Sequence, residues 1–386
     1  MRRALSRSLH SPPLLFTPGP LTTSAATKAA MQVDLGSRDA RFIEVVASIR
    51  ARLLRMGGVA APAYECVLTA GSGTFGVESV LGSSVPRAGG KLLVAANGAY
   101  GERMLAMAGT LGIPLAPPLR FHERRAVEAE AVVAAARADP GVTHVAVVHH
   151  ETTAGVLNPV AAIGRGLAAL PSAPRFIVDS MSAFGAYPAP VADWRAHFVV
   201  SSSNKCIEGV PGFSFALCEA GALRECKGNA RSLSLDLHAQ WAGLAGSGQF
   251  RFTPPTHALL AFDAALAQHE AGGGAAGRLR RYAANHRVLL EGMAALGFAP
   301  YVDADAAGCI ITTFLVPRDP RFRFAAAYDG LARRGFVIYP GKTTVAESFR
   351  IGSIGELTEE HMRGVVAALR EVLLEQGVAV PVTQLQ

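Results

Sequence analysis

Charge is scarce in this chain: Asp, Glu, Lys and Arg make up only 17% of its 386 residues. That excludes a disordered or coiled-coil composition. Aromatic residues are few as well, at 7%, and the Lys and Arg residues are scattered rather than gathered in a stripe. The net charge of +7 is therefore no mark of nucleic-acid binding, although it suits small anionic substrates. Cysteine is limited to Cys66, Cys206, Cys218, Cys226 and Cys309, with no CxxC pair. An odd, dispersed set excludes a disulfide framework and a zinc site, and fits a reducing cytoplasm. Apolar runs long enough to span a bilayer are missing, because Arg, His or Asp interrupts each of them. No acid precedes Asp34, and Met1–His10 carries Arg and Ser as a transit peptide does. The segment is read as an N-terminal extension, and Ser8–Phe16 is too poor in apolar residues for a secretory signal.

What the chain does have is hydrophobic residues, half of the total, enough for one large or two ordinary domains. Strand-length apolar runs alternate with helix-period segments. Strands are expected at Glu65–Thr69, Lys91–Ala95, His144–Val148, Arg175–Val178, His197–Ser201 and Phe213–Leu217. Helices are expected between them, near Phe75–Gly82, Gly101–Gly109, Val127–Ala138 and Val160–Leu170. This alternation predicts an α/β fold with a mostly parallel sheet. Beyond Leu237 long Ala- and Leu-rich helices take over, at Thr256–Gln268 and Ala276–Leu296, broken at Gly272–Gly277. Short strands at Cys309–Leu315, Val337–Tyr339 and Phe349–Ile351 then mix with helices at Phe324–Arg334 and Thr358–Leu374. The expected division is a large α/β domain over residues 36–262 and a smaller α+β domain from residues 1–35 and 263–386.

Three motifs carry chemistry. Gly71-Ser72-Gly73-Thr74-Phe75-Gly76 follows a strand and opens a helix, which suits an anion, though a tight turn would look the same. It spells GxGxxG, but the next strand, Lys91–Asn97, ends without the acid that a dinucleotide's ribose requires. No Gly-Lys-Ser/Thr follows either, so a Walker loop is excluded and a single phosphate group remains. In Phe176-Ile177-Val178-Asp179 an apolar strand delivers an acid at its C-terminal end, where open α/β sheets place ligands. In Ser201-Ser202-Ser203-Asn204-Lys205 the next strand delivers a lysine to the same crevice. Each has a structural explanation alone: a turn, a capping Asp, an exposed Lys. Together, in this order, they describe a site for pyridoxal 5'-phosphate (PLP), whose ring nitrogen needs an acid and whose aldehyde needs an amine.

These residues carry a resemblance. The chain is similar to the fold type I PLP-dependent aminotransferases, and within them to the 2-aminoethylphosphonate–pyruvate transaminases, from Leu15 to about Glu356. The matching stretches include Thr17–Thr23, Gly71–Thr74, Asn97–Gly101, Glu151–Thr153, Asp179–Met181, Ser203–Cys206, Arg251–Thr253 and Phe349–Gly352. Arg231–Leu237 and Tyr339-Pro340-Gly341-Lys342 are more particular to the phosphonate enzymes. Ala154 departs from the pattern, since relatives often carry Thr or Ser there.

The resemblance implies roles. Lys205 holds the cofactor and moves the proton, and Asp179 pairs with the ring nitrogen. Tyr100 stacks on one ring face, Met181 packs near the other, and Thr153 bonds the ring oxygen. Ser72, Gly73 and Thr74 hold the phosphate, with Asn204 beside them, and Thr253 reaches the phosphate of a neighbouring subunit, which makes a homodimer with shared sites. Arg350 binds the anionic end of the substrate, with Thr17 and Gly19 nearby. The implied reaction moves an amino group from 2-aminoethylphosphonate to pyruvate. Rival readings are alanine–glyoxylate or serine–pyruvate exchange, an NAD-dependent dehydrogenase, and a non-catalytic scaffold. No metal is expected: His149 and His150 are neighbours on a strand and should face opposite ways. Cys206 should likewise point away from the lysine.

Overall fold

The computed structural model describes residues 12–384; the Met1–His10 extension lies outside them. The first long helix, α1 (Ala40–Met56), was not foreseen, yet its signals are ordinary ones. The Asp39 side chain accepts the Arg41 N–H at 2.9 Å as an N-cap, and Phe42, Val46, Ile49 and Leu53 bury one stripe. The central sheet then begins with β1 (Tyr64–Ala70), followed by α2 (Gly73–Ser84), β2 (Leu92–Ala96), α3 (Ala99–Thr110) and the short β3 (Leu119–Arg120). It continues through α4 (Ala129–Ala138), β4 (His144–Val148), α5 (Val160–Ala168), β5 (Arg175–Asp179), β6 (Phe198–Ser202) and β7 (Phe213–Glu219).

The seven strands lie in the order β1-β7-β6-β5-β4-β2-β3. Only β7 runs against its neighbours; the pairs from β6 to β3 are parallel. The expected strands and helices of this part all form, within a few residues of their expected ends. Every residue of β2, β4 and β6 is buried, as strands covered by helices on both faces must be. Because β2, β4, β5 and β6 are adjacent and parallel, their C-terminal ends open on one edge, and the residues that follow them converge there.

One core runs from Phe42 to Leu266 around this sheet. After α6 (Leu237–Gly246), α7 (Thr256–Ala271) and α8 (Gly274–Ala295), a second core gathers Phe16 with residues from Val288 to Val382. It is built on a three-stranded antiparallel sheet, β8 (Ile311–Leu315), β10 (Ser348–Gly352) and β9 (Tyr339–Pro340), with side chains of α9 (Phe324–Arg333) and α10 (Glu359–Glu375) in the same core. Phe16 belongs to this second core because Leu14 and Leu15 pair in parallel with Phe336 and Val337. The chain therefore starts beside its C-terminal part, and the segment Thr17–Thr23 passes over the sheet edge. No helix among the described residues is long and apolar enough to cross a membrane.

Candidate active site

The turn from β1 into α2 supplies the first part of the site. Gly71 has φ +114, a conformation that L side chains rarely adopt, and it lets the chain fold back onto the helix start. Ser72 occupies the N-cap, but its hydroxyl makes no capping bond. Among the described residues the Gly73 and Thr74 N–H groups also have no backbone partner. Free N–H and hydroxyl donors at the positive end of a 12-residue helix form a cradle for an anion. A Cβ on Gly73 would collide with Met181, so the cradle sits hard against that side chain.

Asp179 ends β5 and is 6% exposed. Its carboxylate accepts the Met181 N–H at 3.0 Å, and no cation pairs with it among the described residues. Burial, reinforced by the nearby charge of Glu151, pushes its pKa up to about 6. Lys205 lies just beyond the end of the adjacent β6. Its ammonium donates to the Pro18 carbonyl at 2.8 Å and has no carboxylate partner among the described residues. Burial pushes it below its usual value, towards the neutral amine that attacks carbonyls. A Cβ on Gly19 would lie 2.7 Å from the Lys205 Nζ, so Gly19 is what lets the N-terminal segment close over the lysine. Cys206 points the other way, into a small cluster with Tyr282 and Ile310.

The start of α3 forms the opposite wall. Glu151 is fully buried and accepts the Tyr100 and Gly101 N–H groups at 3.1 and 3.3 Å, tying the strand end to the helix. Thr153 packs beside Glu151 in this wall. Its hydroxyl donates to Glu151 at 2.6 Å and accepts the Ala99 N–H at 2.7 Å, and its side chain is fully buried. Thr153 thus ties Glu151 to the start of α3. Tyr100 does line the cleft. Burial works to raise its phenol, but Lys205, Lys342 and Arg350 outweigh it and hold the group below its ordinary value. Arg103, one helical turn on, was missed by sequence reasoning. Its guanidinium lies 4.8 Å from the centre of the Tyr100 ring and donates to Thr74 at 3.2 Å. The i, i+3 spacing from Tyr100 was the available signal. Ser202, also missed, donates to the Asn204 side chain at 3.0 Å, and both line the cleft.

Arg350 reaches the same region from β10. It is 1% exposed, yet no carboxylate pairs with it among the described residues. Its guanidinium donates to the Pro340 and Thr152 carbonyls at 3.0 and 2.8 Å. Carbonyls satisfy part of the fork and leave the charge uncompensated, so burial lowers its pKa. A buried cation held without a counter-ion is prepared for an incoming anion. Thr17 donates its hydroxyl to Pro20 at 2.5 Å and shapes the turn over Lys205. Thr253 stands apart, exposed in the loop between α6 and α7.

The histidine pair needs one correction. His149 follows β4 in a bend, so strict alternation fails, and both rings pack on Tyr187, at 6.3 and 6.0 Å. Burial holds both neutral, with values near 4 and 3. Among the described residues no cluster of three or more His, Cys, Asp or Glu side chains could hold a metal ion. All five cysteines are free thiols.

The cleft encloses about 600 Å³, its open mouth included. Its parts fit PLP. Free donors at the start of α2 suit the phosphate, and an unpaired buried carboxylate suits the ring nitrogen. A desolvated lysine suits the aldehyde carbon, and Tyr100 and Met181 offer surfaces for a flat ring.

Comparison with known proteins agrees with this geometry. The Aminotransferase class-V family pattern matches residues 23–315. A 2-aminoethylphosphonate–pyruvate transaminase of Burkholderia ambifaria (strain MC40-6) is 48% identical over 369 residues, covering 95% of this chain and 97% of that protein. A protein of the same name from Rhizobium meliloti (strain 1021) is 46% identical over 372 residues, covering 95% and 94%. Among solved structures, an alanine–glyoxylate aminotransferase from Nostoc sp. superposes with a TM-score of 0.86 at 22% identity, covering 96% of this chain and 98% of that one.

Proposed function

Because this chain belongs to the class-V aminotransferase family, whose pattern spans residues 23–315, we propose that it moves the amino group of 2-aminoethylphosphonate to pyruvate. The products are phosphonoacetaldehyde and L-alanine, formed by a ping-pong mechanism on PLP. One observation carries the reading furthest: a buried, unpaired Arg350 acts on the same phenol as the half-buried, unpaired Lys205. An anionic substrate is thereby fixed by one end and offered to the lysine by the other.

When bound, PLP supplies a carbonyl that takes up the amino group and a ring that accepts electrons from the donor carbon. The chain's residues do the rest. Ser72, Thr74 and the first N–H groups of α2 would hold the phosphate. The Asp179 carboxylate would accept a hydrogen bond from the ring nitrogen and keep it protonated. Its raised pKa belongs to the protein alone, and a cationic partner would draw it down. The Lys205 amine, pushed below its usual value by burial, would take the proton from the donor carbon and give it back. Arg350 anchors either substrate by its fork, because a guanidinium pairs with carboxylate or phosphonate alike.

Assembly as a homodimer with Thr253 reaching the partner's phosphate site, and residence in the cytoplasm, belong to the same proposal. Support for assembly comes from exposed apolar side chains beside Thr253: Phe252 is 52% exposed, and Leu233, whose carbonyl accepts the Arg251 guanidinium at 3.0 Å, is 77% exposed. The alanine–glyoxylate rival shares the fold at low identity, whereas the phosphonate enzymes share nearly half of all residues. The discriminating experiment assays the PLP-loaded protein with 2-aminoethylphosphonate, alanine and serine as donors against pyruvate and glyoxylate. We expect 2-aminoethylphosphonate with pyruvate to give the highest kcat/KM. A higher value for alanine with glyoxylate, or for serine with pyruvate, would overturn the substrate assignment.

A further inference from the structure

Lys342 is an unclaimed cation at the mouth of the cleft. Its Nζ lies 3.4 Å from the Tyr100 hydroxyl and 5.0 Å from the centre of that ring. Among the described residues it has no carboxylate partner. Unlike Lys205 and Arg350 it is exposed, so an entering anion can reach it.

The surrounding loop is fastened on both sides of this lysine. Before it, the Pro340 carbonyl accepts the Arg350 guanidinium at 3.0 Å, and the Gly341 N–H donates to Ser348 at 2.8 Å. Lys342 and Arg350 therefore hang from one hairpin. After it, the Thr344 N–H and hydroxyl donate to Glu123 at 3.1 and 3.2 Å. Glu123 is itself buried and accepts the Tyr301 hydroxyl at 3.0 Å, so the loop is latched to the large sheet's side of the cleft. A solvent-facing loop fixed at both ends presents its lysine in one place.

The chemistry of the two substrates says what a second cation is for. A carboxylate has two oxygens and one charge, which a single guanidinium fork satisfies. A phosphonate has three oxygens and, once it has lost its second proton, carries two charges. One fork leaves an oxygen and about one charge over. An ammonium acts as a point charge with no demand for planarity, and suits that remainder.

We propose that Lys342 is a specificity-determining residue that takes the third oxygen and second charge of the phosphonate, while Arg350 holds the part common to both substrates. This rests on the reading of the donor as 2-aminoethylphosphonate. It adds that the site distinguishes a dianion from a monoanion of the same shape. An exposed cation contributes modestly, so the discrimination should be about fivefold and should shrink at high salt.

The test uses the PLP-loaded protein and two unreactive tetrahedral anions, ethylphosphonate and ethanesulfonate, at a mildly alkaline pH where the phosphonate is a dianion, with binding measured by competition against 2-aminoethylphosphonate or by calorimetry. The unaltered protein should bind ethylphosphonate about fivefold more tightly than ethanesulfonate. Lys342→Met should bring the ratio close to one, and Lys342→Arg should keep most of it. In turnover, Lys342→Met should raise KM for 2-aminoethylphosphonate about fivefold with little change in kcat, and should disturb alanine far less. A Lys342→Met ratio equal to that of the unaltered protein overturns the proposal, as does an equal loss for both anions. Failure of the donor assignment shows separately, as no alanine from 2-aminoethylphosphonate and pyruvate with the unaltered protein, and the binding ratio still judges Lys342.

Discussion

At the scale of single residues, the proposed function turns on Asp179 and Lys205, and the place of each in the fold was legible in the sequence. Asp179 and Lys205 could be placed because a strand end fixes where a side chain opens, and adjacent parallel strands open on one edge. Lys205→Ala should fold normally, because the Pro18 carbonyl it leaves can take water. It should nevertheless lose at least 10²-fold in turnover, the usual worth of a positioned base. Single-turnover rates beside a thermal melt separate the two effects. Asp179 gives a pH prediction. Its pKa is pushed up to about 6 in the cofactor-free protein. The folded state then binds more protons than the unfolded state from about pH 4 to 6, so stability falls as pH rises through that window. The loss at neutral pH is about 3 kcal/mol at most. Cofactor-free Asp179→Asn should lack this slope, while its holoenzyme loses about 10²-fold in kcat. Denaturant melts at pH 4 and pH 7 check the first half. An equal slope in both proteins would show that Asp179 ionises without cost. Thr153 was harder to read, because a motif gives a hydroxyl but not its partner; only the fold shows Glu151 claiming its proton.

At the scale of elements, the central strands and helices were legible because fully apolar strands alternating with helix periods admit few other readings. Two things were not. Helix α1 carries an N-cap and an apolar stripe that went uncounted. The direction of β7 is a property of pairing, which an apolar run does not disclose. Also invisible was the grip of α8 on the lysine turn. Glu208, 4% exposed and with φ +66, sits just after Lys205, and its N–H donates to the Lys205 carbonyl at 2.7 Å. Its carboxylate is held by Arg278 and Tyr282, each at 2.5 Å, and by Arg281. The same helix holds the Ser353 and Leu357 carbonyls through Asn285, just past Arg350. One helix thus registers both the lysine turn and the arginine strand. Arg278→Met leaves Glu208 short of a buried partner and should cost about 3 kcal/mol. A denaturant melt measures it, and a cost below about 0.5 kcal/mol, the level of an ordinary surface change, would show that the network does not hold the turn.

At the scale of the whole molecule, the cleft opens on the sheet's C-terminal edge, and Arg350 reaches the Tyr100 side of it from the strand β10, whose Phe349 and Ile351 belong to the second core. Surface apolar residues carry no partner's name. If the exposed Phe252 is covered by a second copy, Phe252→Glu should shift the assembly towards monomer by at least tenfold in dissociation constant. It should also release cofactor in step, through the loss of Thr253 from the neighbouring site. Sedimentation with absorbance detection follows both, and a fully loaded, active monomer would contradict the shared site. The central claim is tested most directly by separating the two halves of the reaction. The PLP-loaded protein is mixed with 2-aminoethylphosphonate alone, freed of small molecules, and then given pyruvate. The account predicts one phosphonoacetaldehyde per site in the first stage and one alanine per site in the second. Absence of the aldehyde in the first stage, with alanine still formed from another donor, would contradict it.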